Sequence, residues 1–185
     1  MVAVMLKSKE KLFRRLCKEP ILYFEAYKLL GDEKEAEKVC SIVLERMIGV
    51  YPVLKRKSYE DLLYIYQTVI RYICATSLSL VKEINREDVE NDGISNEEHF
   101  LALVLDCGSD VLLQVLTEMP EDKKCVLTLK YVFGLDAHVM NALLGLSHQE
   151  LIMELERSKA TMITKMENLY ECQKSSRREI ERIPS

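Results

Sequence analysis

The stretch from Gly134 to Lys159, GLDAHVMNALLGLSHQELIMELERSK, constrains this chain more than any other. Leu135, Met140, Leu143 and Leu144 recur at helical spacing and give a first short helix one apolar face. Gly145 suits the left-handed conformation that ends a helix, because it has no Cβ to clash there. Ser147 is placed to cap the next helix, and Glu150, three residues on, completes a capping box. Leu151, Ile152, Met153 and Leu155 supply that second helix with apolar residues, less regularly spaced. A helix, a glycine turn and a capped helix form the helix-turn-helix pattern, whose second helix can enter a DNA major groove. An ordinary helical hairpin uses the same chemistry, and the stretch alone does not separate the two.

Helical patterns fill the rest of the 185 residues, which hold four prolines and six glycines, so the expected fold is all-α. Helices are predicted over Lys9–Lys18 and over Ile21–Leu30, the latter with Pro20 near its start and Gly31 at its end. Asp32 caps a third, Glu33–Gly49, with Glu35 at the third position and Ala36, Val39, Cys40, Val43, Leu44 and Met47 on one face. A basic turn, Lys55-Arg56-Lys57, leads into a fourth helix from Ser58 or Tyr59 to about Ile84. Further helices are expected from near Ser95 or Glu97, over Asp110–Glu118, and over Asp122–Phe133. The second helix of the central motif runs on towards Leu169.

Charge divides the chain. Met1 to Lys82 has 15 basic and 10 acidic residues, while Glu83 to Asp110 has one basic and nine acidic. Val111 to Ser185 is close to neutral, with 10 basic and 11 acidic. The run NREDVENDGISNEE is poor in apolar residues and reads as an exposed linker. The expected organisation is therefore a mildly basic helical domain over 1–84, an acidic linker over 85–109, a helix-turn-helix domain over 110–170, and a polar tail over 171–185.

Composition narrows the function. With 48% hydrophobic and 30% charged residues, the chain belongs with globular proteins rather than disordered ones. No apolar run approaches the roughly 18 residues that a membrane span needs. The opening MVAVMLKSKEKLFRRL is too quickly charged for a signal peptide, so a cytoplasmic protein without membrane contact is expected. The six cysteines (Cys17, Cys40, Cys74, Cys107, Cys125, Cys172) form no CxxC pair, and His99, His138 and His148 have no metal-ligand spacing. Neither a phosphate-binding loop nor a nucleophile–base spacing occurs. An enzyme is thus the least favoured reading, with no catalytic residues, cofactor or metal expected.

Two stretches in order carry a resemblance: LLGDEKEAEKVCSIVLERMI (Leu29 to Ile48), and MPEDKKCVLTLKYVFGLDAHVMNALLGLSHQELIMELERSK (Met119 to Lys159). Separated by the acidic linker, they resemble the corresponding stretches of bacterial sigma factors of the extracytoplasmic-function type. The resemblance implies two small helical domains, like sigma regions two and four. It implies as partners RNA polymerase core (beta-prime clamp and beta flap), promoter DNA, and an anti-sigma factor or other regulatory protein. It places polymerase binding on Ala36, Glu37, Val39, Cys40, Ser41 and Val43. DNA contacts would fall to Lys55, Arg56, Lys57, Arg71, His148, Gln149, Arg157 and Lys159.

The departures are specific. Lys38 stands where the family has Asp, Ser41 where it has Gln, and Ile48 where it has Trp. The helix LLYIYQTVIRYICATSLSL offers Arg71 alone where the family has several basic residues. Tyr59, Tyr64, Tyr66 and Tyr72 suit stacking on an unpaired base, although packing is the expected role for at least half of them. On the recognition helix, Glu150, Ile152, Glu154 and Glu156 replace Thr, Lys and Arg. Carboxylates facing DNA add repulsion where affinity depends on neutralising phosphates. An alternative follows: a sigma-like interaction module whose Glu-lined helix-turn-helix binds a basic protein partner rather than DNA.

Overall fold

The computed structural model describes residues 15–16, 19–82 and 97–180, and these are helical apart from short connections. The expected all-α class is what the described residues show, with no strand among them. Of the helix expected over Lys9–Lys18, only Arg15 and Leu16 are described, and both are helical. Of the linker expected over 85–109, residues 97–109 are described and mostly helical, with Phe100 and Cys107 buried, which corrects the expectation there. Residues 85–96 and the end of the tail lie outside the described residues.

Helix α1 spans Pro20–Leu30, with proline in its first turn, and stops at Gly31, whose φ of 70° lets its amide reach the Tyr27 oxygen. Asp32 caps α2 by accepting from the Glu35 amide at 2.9 Å. Helix α2, Glu33–Leu54, runs five residues beyond the expected end at Gly49 and holds Pro52 inside its last turn. An interior proline costs about 3 kcal/mol. Against that, Val50 and Leu54 continue the buried stripe of Ala36, Val39, Val43 and Met47. Each such burial gives about 1.5–3 kcal/mol, so together they offset the proline.

A reciprocal box opens α3 (Tyr59–Lys82): the Ser58 amide donates to Asp61 and the Asp61 amide to the Ser58 hydroxyl. Then follow α4 (Glu97–Asp106), α5 (Ser109–Glu118) and α6 (Glu121–Leu127). The last widens into a π-helical turn, Thr128–Val132, before α7 (Ala137–Leu144) and the long α8 (His148–Ile180). No single helix among the described residues is long and apolar enough to cross a membrane.

The buried residues do not divide where the charge does. One core joins Ala26, Val43, Leu54, Ile65 and Ile70 to Val126, Leu129, Val139, Met140, Leu143 and Leu151. Helix α7 therefore rests on α2 and α3, and α6 rests on α3. A second, smaller core gathers Phe100, Cys107, Val115, Met119, Leu127, Met162 and Met166 from α4, α5, the end of α6 and the middle of α8. The expectation that 1–84 and 110–170 each keep a core is corrected in this respect. The short helices α6 and α7 bury more apolar surface than α8 alone can cover, and the first three helices supply the rest.

The helix-turn-helix and its exposed face

The central motif is two helices joined by a short glycine turn, with a cap at each junction. Asp136 caps α7, accepting from the Val139 amide at 2.9 Å. Gly145, at φ 73°, turns the chain so that its amide and that of Leu146 both reach the Asn141 oxygen, at 2.8 and 3.1 Å. The Ser147 amide donates to Glu150 at 2.7 Å, and the Glu150 amide to the Ser147 hydroxyl at 3.3 Å. The Ser147 hydroxyl and amide hold the Glu150 carboxyl below the usual carboxylate range. Leu135, Met140, Leu143 and Leu144 are all buried, as their spacing predicts.

The second helix departs from expectation. Of its four apolar residues Leu151 is buried and Leu155 half-buried, while Ile152 and Met153 are 48% and 45% exposed. The acids point elsewhere. Glu154 takes the Lys123 ammonium at 2.5 Å with both side chains mostly covered, and Asp122 stands 3.6 Å from the same ammonium. Glu156 takes Lys159 at 2.5 Å, and Lys159 also reaches Glu97 at 3.3 Å. The Tyr131 hydroxyl donates to Glu97 at 2.9 Å. Burial raises the Glu97 carboxyl, but the bonds from Tyr131 and Lys159 outweigh it and hold the group below its ordinary value. The expected Glu-lined outer face is thus corrected: Glu154 and Glu156 are engaged by lysines of this chain.

Over its first ten residues the helix exposes His148, Gln149, Glu150, Ile152, Met153 and Arg157. Lys159 is buried, so its charge does not reach the face where a DNA contact was expected. Ile152 and Leu155 instead border a groove of about 230 Å³, with Tyr131 and Lys130 on its opposite side.

The remaining expected contacts divide by position. Lys55 and Arg56 are exposed at the turn between α2 and α3. The Lys57 ammonium donates to the Phe133 main-chain oxygen at 2.6 Å. Arg71 is held by Glu25 at 2.6 Å, with Glu121 at 3.8 Å. Lys57 and Arg71 are therefore committed to groups of this chain rather than open to a phosphate. Tyr64 is 60% exposed, whereas Tyr66 and Tyr72 are buried and Tyr59 donates to Glu19.

On α2, Ala36, Val39 and Val43 face the core, while Glu37 and Ser41 are exposed. Three of the expected polymerase contacts are thus core residues. Cys40 is half-buried, its thiol 3.7 Å from the Leu22 oxygen and its carbonyl accepting from Tyr66 at 2.6 Å. Glu37, Cys40 and Ser41 border a groove of about 310 Å³ between α1 and α2, together with Tyr23, Leu44 and Glu19. Burial pushes the Cys74 thiol up to about 11 and raises that of Cys125 further, so both pack as neutral hydrophobes.

Three residues that order the site were not singled out by sequence. Asp136 had a legible signal, an Asp three residues before Val139 at a helix start. Arg46 and Lys123 had none, because their partners lie 97 and 31 residues away. No protein-family model matches this chain, and no curated protein matches its sequence.

Proposed function

We propose that this protein is a sigma-like transcription initiation factor that binds RNA polymerase core and directs it to a subset of promoters. The observation that carries the reading is the helix-turn-helix, capped at both junctions, with the first turn of its second helix open at His148 and Gln149. In that position Gln149 suits the edge of an adenine, and Arg157, about two turns on, suits a phosphate. Lys55 and Arg56 add exposed charge on the N-terminal half. With so few open cations, the chain's affinity for duplex DNA by itself is weak, and polymerase supplies the remainder of the grip. The polymerase contact falls to the exposed edge of α2 at Glu37 and Ser41, beside the groove that Cys40 floors. The chemistry of RNA synthesis belongs to the polymerase.

The test uses the full chain and purified core polymerase. Replacing Glu37 with Lys reverses a charge on an exposed position, so folding is kept while core binding weakens about tenfold. Undiminished binding by that variant removes the assignment. A second reading, an interaction module whose helix-turn-helix meets a protein, is favoured by one feature. Ile152 and Met153 stand exposed where a groove-reading helix carries polar side chains.

A further inference from the structure

We propose that the outer face of α4 docks a basic amphipathic helix of a partner protein. This goes beyond the polymerase reading, because that face belongs neither to the edge of α2 nor to the helix-turn-helix.

Helix α4 is apolar on two sides. Phe100, Leu103, Val104 and Cys107 follow i, i+3, i+4, i+7 spacing and turn towards the second core. Glu98, Leu101, Ala102 and Leu105 repeat that spacing on the other side, and all four are exposed. Leu105 is 83% exposed and Leu101 39%. A helix that is apolar all round is one that is buried all round, and here one of the two stripes meets solvent. The pattern recurs on α5, where Leu113, one turn after Asp110, is 67% exposed.

Charge selects the occupant. From Glu87 to Asp122 the chain carries eleven acidic residues and no Lys or Arg. The lysines that reach this region from elsewhere are taken up by other carboxylates. Lys159 pairs with Glu97 at 3.3 Å and with Glu156 at 2.5 Å, and Lys165 stands 3.8 Å from Glu118. Lys130 acts on Glu97 as well. Asp106, next to Leu105, and Asp110 form no ion pair among the described residues. The exposed leucines therefore have an acidic border. Nucleic acid and an anionic membrane surface bring negative charge of their own to that border. A second copy laid on the same face would set its Asp106 and Asp110 against these, and like charges juxtaposed cost affinity. A helix with Leu or Ile on one face and Lys or Arg along its edges meets both the leucines and the carboxylates.

The experiment is fluorescence anisotropy of labelled peptides against the full chain at physiological ionic strength. The probes are a Leu/Lys/Ala helix with leucines at i, i+3, i+4 and i+7, the same composition with scrambled leucines, and the Glu-for-Lys version. The basic amphipathic peptide is expected to bind tightest. Leu105→Ser should weaken it about tenfold, since the central apolar anchor is removed. Asp106→Lys should also weaken it and narrow the gap to the glutamate peptide. Phe24→Ser, at another exposed apolar position, on α1, should leave binding unchanged. All three positions are at the surface, so circular dichroism should show unchanged helix content. In the wild-type chain, ¹³C-methyl labelling should show the Leu105 signals moving on titration, a readout that needs no variant. Binding no tighter than the scrambled peptide, or indifferent to Leu105→Ser or to Asp106→Lys, or without movement at Leu105, overturns the proposal. So does an equal loss on Phe24→Ser, which places the peptide elsewhere. Self-association of the chain that Leu105→Ser abolishes overturns it too, and assigns the face to a second copy.

Discussion

Arg46 on α2 donates from Nη1 to the main-chain oxygen of Leu143 at 3.1 Å, and its guanidinium fills the space that a Cβ at Gly145 would need. Leu143 lies in the last turn of α7, where carbonyls lack intrahelical donors and carry the negative end of the helix dipole. A cation from the first half of the chain thus completes the end of a helix in the second half. Lys57 does the same at Phe133, the end of the π-helical turn. Glycine at 145 has two reasons: its positive φ, and room for the arginine.

Gly145→Ala should therefore destabilise the chain by about 2 kcal/mol. About 1 comes from the left-handed backbone, and the rest from moving Arg46, whose hydrogen bond carries a full charge. An added Cβ would lie 2.5 Å from Arg46 Nη2, so the side chain must shift. In an Arg46→Ala background the same substitution should cost only the backbone part. Urea denaturation of the four chains gives the coupling, and strict additivity would separate Arg46 from the turn.

The Lys123–Glu154 pair makes a second prediction. Both side chains are about 15% exposed, at 16% and 15%. Replacing Lys123 with Met strands a covered carboxylate and should cost about 3 kcal/mol. Replacing Glu154 with Gln should cost less, because Asp122 remains 3.6 Å from the ammonium. The double replacement should recover part of the loss. Equal penalties for both single variants would mean that Asp122 does not help.

Glu150 sets a pH dependence. Its carboxyl is held below the usual range by Ser147. A depressed folded-state value contributes stability that is present above the unfolded value, about 4.3, and lost as pH falls through the lower folded value. Glu97 adds with the same sign. Between about pH 5 and pH 3 the wild type should thus lose more stability than Glu150→Gln, which keeps the cap but does not titrate. Parallel denaturation midpoints for the two chains across that range would remove Glu150 as a contributor.

The shared core predicts cooperative unfolding. Cys125, Val126, Leu129, Val139 and Met140 are buried in the same cluster as Val43, Ile65 and Ile70. A fragment holding residues 97–185 alone would expose that surface and should show helical content without fixed tertiary packing. The full chain should lose the signals of α2 and α7 in one thermal transition. Two separated transitions, or a fragment with dispersed side-chain resonances, would show that the halves fold apart.

Local chemistry was legible in the sequence wherever cause and effect lie within one or two helical turns. The caps at Asp32 and at Ser147 with Glu150, the glycine stops at 31 and 145, and the buried face of Leu135, Met140, Leu143 and Leu144 all formed as their spacing implied. The end of α2 did not, because the burial of Val50 and Leu54 against distant helices outweighs a local proline signal. Nor did the outer face of α8. Periodicity placed Ile152 and Met153 inside and left Glu154 and Glu156 outside. Lys123, 31 residues before Glu154, and the buried Lys159 reversed that arrangement. The charge boundary likewise did not become a boundary of the core. Apolar area on α6 and α7 has no partner within the second half large enough to cover it, and only tertiary packing against α2 and α3 decides where it goes.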